Sequence, residues 1–302
     1  MVDVPTQAEV AAAVAALDLR IATLEQAPPA LQPAGGGGWS PWTNAVDFGV
    51  STAAADNRGA LQAAIDAAYA TGGRRVFLPA GRYLMSGAVD VSGVFLEGAG
   101  PLFGGLVLTE PGGGLISIHG QRGGVHCPGG GVRNMYLFAK ANVHGGVCVS
   151  LGSGGQHMPD RCDLSGLRIT TDSVPAGSTQ GVWERAINLN ATTRLSPPGL
   201  RGATMRDIEI FNCVGPAVVL WGANGIRMSS VMAYTGGGVQ AMMGLWIGGT
   251  SAVQSTDVQV SDVKFDGPAN VTNTIASGFE GQFAGGIQTD AISQQSCVFS
   301  LD

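Results

Sequence analysis

Residues 56–83 read DNRGALQAAIDAAYATGGRRVFLPAGRY, and residues 94–100 read VFLEGAG. The first half is helical in pattern. Asp56 is placed to cap, Leu61, Ile65, Ala68 and Tyr69 fall on one face, and Gly72-Gly73 closes the segment. The pattern then changes to short β runs: Val76, Phe77 and Leu78, a turn at Pro79-Ala80-Gly81, and a further run from Val94. A helix capping one end of a stack of short strands is the expectation.

The rest of the chain repeats one strand signature, a small or polar residue followed by apolar–x–apolar. It occurs at Asn134-Met135-Tyr136-Leu137, Gly166-Leu167-Arg168-Ile169, Asp207-Ile208-Glu209-Ile210, Ser230-Val231-Met232-Ala233 and Asp262-Val263-Lys264-Phe265. The first apolar positions are 32, 41, 23 and 32 residues apart. A spacing of 23 suits one coil of three short strands and three turns, so the longer intervals imply insertions that protrude as loops. With parallel strands about 4.8 Å apart, residues 46–302 predict a solenoid of about ten coils and roughly 50 Å.

Several segments resemble the opening of the pectate-lyase-like superfamily of right-handed parallel β-helices. They are Val46-Asp47-Phe48-Gly49, Asp56-Asn57, the run from Ala60 to Asp66, Gly72-Gly73 and the run from Val76 to Tyr83. Residues 94–100 resemble the V-x-L-x-G-x-G of the next coil. Family members usually carry a Gly-Asp-Gly-rich loop before the helix, where this chain has Val50-Ser51-Thr52-Ala53-Ala54-Ala55. The resemblance implies an all-β fold: a right-handed, single-stranded parallel β-helix with an N-terminal capping helix. Lyases of the superfamily use carboxylate-bound calcium and an arginine base, and no cluster here matches that set residue by residue.

Ahead of this domain, Val10, Val14, Leu17, Ile21 and Leu24 are spaced in the a/d rhythm of a coiled coil, stopped by Pro28-Pro29. Three alanine-rich heptads are too weak to hold a lone helix in water, so the seam implies association. An amphipathic helix packed on its own domain is the alternative. β-branched residues at a with leucine at d favour two strands, and the seam is too short to separate two from three. Residues 28–42 (PPALQPAGGGGWSPW) read as a Pro/Gly neck. The expected organisation is an oligomerisation or attachment helix at 1–27, a linker at 28–45 and the β-helix at 46–302.

Composition narrows the function classes. Glycine is 48 of 302 residues, about 16% against a usual share of about 7%. It concentrates between the predicted strands, as at 98/100, 104–105, 112–114, 129–131, 145–146, 236–238 and 248–249, and reads as an inventory of solenoid turns. With 16 Lys+Arg against 22 Asp+Glu, the net charge is −6, a poor match to a nucleic-acid partner. No run is long and apolar enough to predict a bilayer span. Met1 to Glu9 has neither a basic residue nor an apolar core, so no signal peptide is expected. The five cysteines are odd in number and show no C-x-x-C pair, which predicts buried free thiols.

No phosphate loop, zinc-protease motif or nucleophile elbow occurs. The Gly236-Gly237-Gly238-Val239-Gln240-Ala241 match to G-x-G-x-x-A has no βαβ context. His119, His126, His144 and His157 share a stretch with Cys127, Cys148 and Cys162, without ligand-type spacing, so neither metal nor cofactor is expected. Asp207 and Glu209, two apart on a strand with Ile208 and Ile210 inward, are weak catalytic candidates at a separation near the lower limit for an inverting glycosidase pair. Arg168 and Lys264 fall in the same column, so a charge-balanced surface ladder competes with catalysis. Trp183 with Glu184 and Arg185, and Trp221 and Trp246, are candidates for sugar stacking, with packing as the alternative. In Val218-Val219-Leu220-Trp221 both faces are apolar, which points to subunit contacts there.

A short coiled coil, a neck and a β-helix resemble the adhesion spikes and fibres of tailed phages and phage-like particles. That resemblance implies a homotrimer on the particle surface, attached to other particle proteins through its N-terminus and meeting a host cell-surface polysaccharide without inserting in a membrane. A polysaccharide lyase or glycosidase of the same fold, and a purely structural decoration or adaptor, are the alternatives.

Overall fold

The computed structural model describes residues 42–140, 143–152, 161–171, 183–190, 202–213, 215–234, 244–248, 255–266, 287–289, 294–295 and 298–300. The heptad residues Val10 to Leu24, most of the neck, and the glycines at 236–238 lie outside them, as does Cys297.

The capping helix spans Arg58–Ala70 and buries Leu61, Ala64, Ile65 and Ala68. Asn57 occupies the cap position, fully buried, with its Oδ1 accepting the Ser51 amide at 2.7 Å. Asp56 acts one residue further out. Its Oδ1 accepts the Arg58 amide at 3.0 Å and the Ser86 amide at 2.9 Å, and its Oδ2 accepts the Ser86 hydroxyl at 2.7 Å. The carboxylate therefore ties the helix start to the chain leaving strand Gly81–Met85. Desolvation pushes its pKa up, but the Ser86 and Arg58 hydrogen bonds outweigh that and hold the carboxyl below its ordinary range.

Among the described residues the strands form a 12-stranded and a 7-stranded sheet, parallel throughout, and successive coils pass from one to the other. One antiparallel hairpin, Gln121–Arg122 with Val125–His126, stands apart. The result is a right-handed parallel β-helix. Strand Thr43–Asn44 pairs with Val76 and Phe77, and Ala45 is fully buried, so the last residues of the predicted linker belong to the first coil. The sheets enclose stacked inward columns. In the longer sheet Leu96, Val132, Leu164, Met205, Met228 and Val260 lie in register, and in the shorter one Ile116, Val149, Ile187, Val218 and Leu245. Each is buried, and burying such a side chain contributes about 1.5–3 kcal/mol before the entropy cost.

The repeated strand signature pairs as its spacing implies: Met135 with Leu167, Leu167 with Ile208, Ile208 with Val231, and Val231 with Val263. Its first position has a physical cause. Asn134, Gly166, Asp207, Ser230 and Asp262 all have φ between 49° and 60°, so each long strand bends there through a left-handed residue. Only short polar residues and glycine adopt that conformation at modest cost. Neighbouring corners also bond, as in Ser230 Oγ to Asp262 Oδ2 at 2.8 Å. Asp207→Val is expected to lower the unfolding free energy by about 1–2 kcal/mol, while Asp207→Asn stays near wild type. Urea unfolding midpoints of the two variants provide the check.

Glycine does more than turn the chain. Gly105 has no left-handed φ, yet a Cβ there would overlap the Tyr136 carbonyl of the next coil. Part of the glycine excess therefore serves close approach between coils, a correction to the reading of it as turns alone. The cysteines at 127, 148, 162 and 213 are free and buried. No helix among the described residues is long and apolar enough to cross a membrane.

Candidate functional site

Beyond each left-handed corner, the second half of the strand points alternate side chains outward from the longer sheet. Two outward columns result. Arg168, Glu209, Met232 and Lys264 form one, in the order read from sequence, and Tyr136 precedes them in it. Phe138 and Thr170 pair in the other, as do Phe211 and Tyr234 further along it. Tyr136 stacks on Phe138 at 5.3 Å and 27°, and Phe211 on Tyr234 at 5.3 Å and 28°. The Arg168 guanidinium lies between the two pairs, 5.8 Å from the Tyr136 ring and 5.0 Å from that of Phe211. Its Nε is 3.5 Å from Glu209 Oε2. Arg82 covers the Phe138 ring at 4.6 Å.

A loop from an earlier coil forms one wall. Gly100, Pro101, Leu102 and Phe103 join strands Phe95–Gly98 and Gly104–Leu108, and Leu102 and Phe103 are 73% and 69% exposed. Pro101 and Leu102 close over Arg168, Glu209, Phe211, Met232 and Tyr234, leaving a groove of about 790 Å³. That is within the usual range for small-ligand sites, mostly apolar with a few fixed polar groups. Flat rings beside a paired cation and anion suit the alternating C–H and hydroxyl faces of a sugar. Arg168 and Glu209 offset each other, and Asp207 at the corner leaves the groove lining with one net negative charge.

The catalytic candidates take different places from those expected. Asp207 sits at the left-handed corner, exposed, with φ of 54°, and Glu209 lies beyond the bend against Arg168. The i, i+2 separation of a continuous strand does not apply across such a bend, which removes the geometric basis for the pair. Both residues still line the groove.

Trp183 is a clearer correction. Its ring is 0% exposed, its Nε1 donates to the Thr170 carbonyl at 2.9 Å, and a Cβ on Gly145 of the neighbouring coil would overlap its six-membered ring. The indole is a core side chain and offers no face to a ligand. Glu184 and Arg185 are on the surface and pair with each other at 3.6 Å. The amides of Ala186 and Ile187 both donate to the Ala217 carbonyl, at 3.1 and 3.0 Å, which marks a β-bulge. The bulge buries both Ala186 and Ile187, and Arg185 Nη1 donates to Asn188 Oδ1 at 3.3 Å. Trp221 and Trp246 are half-buried and meet edge-to-face at 5.4 Å on the outside of the shorter sheet. Among the described residues no His, Cys, Asp or Glu cluster is arranged to hold a metal.

Phe211 and Tyr234, the aromatic pair that lines the groove, were missed as candidates. Their signal was present: each lies four residues after a corner residue, one step beyond the repeated signature.

Residues 42–113 match the family model described as rhamnogalacturonase A/epimerase, pectate lyase-like. A mannuronan C5-epimerase of Azotobacter vinelandii, AlgE3, is 52% identical over 66 residues, 19% of this chain and 4% of that protein. The chain thus aligns with only a small part of this relative. Among solved structures, the Agl-KA catalytic domain superposes with a TM-score of 0.50 at 14% identity, covering 88% of this chain and 48% of that one. ORF18 of Geobacillus virus E2 gives a TM-score of 0.47 at 15% identity, covering 85% and 46%. The first coils are pectate-lyase-like in sequence, and the coils that follow continue the same parallel β-helix fold.

Proposed function

We propose that this chain is a spike or fibre protein of a phage or phage-like particle that binds a host cell-surface polysaccharide without cleaving it. The observation that carries the binding is the groove of stacked aromatics around Arg168 and Glu209. The particle role is supported by the organisation of the sequence, a heptad seam and a Pro/Gly neck ahead of a β-helix. In this reading the protein is a homotrimer held through Val10, Val14, Leu17, Ile21 and Leu24, joined to other particle proteins at its N-terminus and displayed at the particle surface. Trp221 and Trp246, with Val219 between their strands' apolar faces, are assigned to subunit or glycan contact.

The match of residues 42–113 to an epimerase-containing family favours a second reading, a polysaccharide-modifying enzyme. That stretch supplies only Pro101 and Leu102 to the groove, so the aromatic platform and the Arg168–Glu209 pair come from outside it.

One experiment separates the readings. Purified protein is incubated with host surface polysaccharide, followed by co-sedimentation, chain-length analysis and NMR of the recovered polymer. Binding with unchanged polymer is expected. Shortened or epimerised polymer would establish the enzyme, and no binding would leave a purely structural role. Phe211→Ala with Tyr234→Ala is expected to weaken binding by about 1–3 kcal/mol in total, roughly 5- to 150-fold, on removing two aromatic contacts.

A further inference from the structure

The left-handed corners of the long strands stack into a column of their own: Asn134, Gly166, Asp207, Ser230 and Asp262. The register sets each beside the next, as Gly166 and Asp207 fall between the pairs Ser165–Arg206 and Leu167–Ile208. The polar members on either side of Asp207 are already paired. Asn134 Nδ2 donates to Glu97 Oε1 at 3.2 Å, and Ser230 Oγ donates to Asp262 Oδ2 at 2.8 Å. Asp207 itself is different. One neighbour, Gly166, has no side chain to offer it, and a Cβ there would overlap Asn134 Oδ1. The other, Ser230, gives its hydroxyl proton to Asp262. Asp207 is exposed and has neither an ion-pair nor a hydrogen-bond partner among the described residues.

This carboxylate lines the aromatic groove, together with Gly166 and Ser230. The guanidinium of the lining is committed elsewhere: Arg168 lies 3.5 Å from Glu209 Oε2 and between the rings of Tyr136 and Phe211. With one cation against two carboxylates, the carboxylate left over is the one at the corner end of the groove. An ionised carboxylate is a strong acceptor for hydroxyl donors. It opposes a second carboxylate brought up beside it, since like charges raise each other's energy most where water is partly excluded.

We infer that Asp207 sets the charge specificity of the groove: it accepts hydrogen bonds from the hydroxyl groups of an uncharged sugar unit stacked on Phe211 and Tyr234, and it turns away units that carry a carboxylate. The role is separable from folding. The corner needs a left-handed backbone, which asparagine and glycine adopt at no greater cost than aspartate. Asp207→Asn therefore removes the charge and keeps an acceptor oxygen, while Asp207→Gly removes both. This inference rests on the glycan-binding reading and adds to it which sugars the groove refuses.

The test is calorimetric titration of the full chain with host surface polysaccharide in three preparations. One is used as isolated, one has its carboxylates reduced to primary alcohols, and one has its primary alcohols oxidised to carboxylates. Wild type, Asp207→Asn, Asp207→Gly, and Phe211→Ala with Tyr234→Ala are compared, with circular dichroism confirming the fold of each. Wild type is expected to bind the reduced polymer at least about fivefold more tightly than the oxidised one at low salt, a gap that narrows as salt screens the exposed carboxylate. In Asp207→Asn the gap closes to within about twofold, through tighter binding of the oxidised polymer. In Asp207→Gly the gap also closes, and the reduced polymer binds about three- to tenfold more weakly because the acceptor is gone. Equal affinity of wild type for the reduced and oxidised polymers overturns the inference and leaves the glycan reading standing. A gap that persists in both Asp207 variants overturns it as well, by placing the discrimination on another residue. Unchanged binding in the double aromatic variant puts the polymer outside this groove and has the same consequence. Failure of all three preparations to bind wild type sinks the glycan reading itself, and this inference with it.

Discussion

Trp183→Ala is expected to lower the unfolding free energy by about 3–5 kcal/mol, the range for emptying a large, fully buried aromatic site. The indole fills space that Gly145 leaves open in the neighbouring coil, and its N–H is satisfied by the Thr170 carbonyl. Alanine loses the packing and the hydrogen bond together. Stacked coils on either side constrain the backbone, so the cavity has little room to collapse. At about 2–4 °C per kcal/mol for a domain of this size, the thermal midpoint falls by roughly 6–20 °C. Trp183→Phe keeps most of the ring but gives up the hydrogen bond, at a net cost nearer 1 kcal/mol. Thermal melts of both variants by circular dichroism measure the difference. Polysaccharide binding by the folded phenylalanine variant is expected to match wild type. A selective loss of binding with stability unchanged would return Trp183 to the ligand site.

Raising the pH above about 9 is expected to destabilise the β-helix steadily. Burial pushes the Cys162 and Cys213 thiols up from 9.0 to about 12, with Asp163 adding to the effect at Cys162. Burial and the neighbouring Cys213 thiol push Cys148 well above the usual range, and burial raises Tyr83 in the same sense. The sign follows from proton counting. Above about pH 9 the unfolded chain releases these protons while the folded chain keeps them, so the unfolded state binds fewer protons and stability falls as pH rises. The thiol contribution is complete below about pH 9 and is lost on approaching 12. Each fully buried thiol contributes up to about 1.4 kcal/mol per pH unit across that window. Urea midpoints at pH 8, 9, 10 and 11 test this, with Cys213→Ala reducing the slope by one thiol's share. A midpoint that does not move between pH 9 and 11 would contradict it.

Much of the fold was legible in residues 56–100 and in the five strand signatures, because both depend on local chemistry. The helix Arg58–Ala70 follows from apolar spacing and a terminal glycine pair. The pairing of Ile208 with Val231 follows from a 23-residue coil. Even the corner was encoded, since Asn134, Gly166, Asp207, Ser230 and Asp262 are the residue types that tolerate a left-handed backbone. Their meaning was not evident, because one apolar–x–apolar run reads as one strand whether or not it bends at its start.

The candidate site was less legible for a reason that repeats across its residues. The sequence by itself determined which side chains alternate in and out along a strand, where coils begin, and that Arg168, Glu209, Met232 and Lys264 share a column. It did not determine which aromatic rings reach solvent. Trp183 and Trp246 look alike in sequence, yet one is buried because Gly145, in a different coil, makes room for it. The groove exists because the loop of Pro101 and Leu102 lies across strands more than 60 residues further along the chain. That Asp163 is shared by Arg133 and Arg206 appears only once the coils are stacked. Alternation and corner preference are properties of a few consecutive residues. Burial, groove walls and charge balance are set by which coils stack on which, and only the tertiary structure decided those.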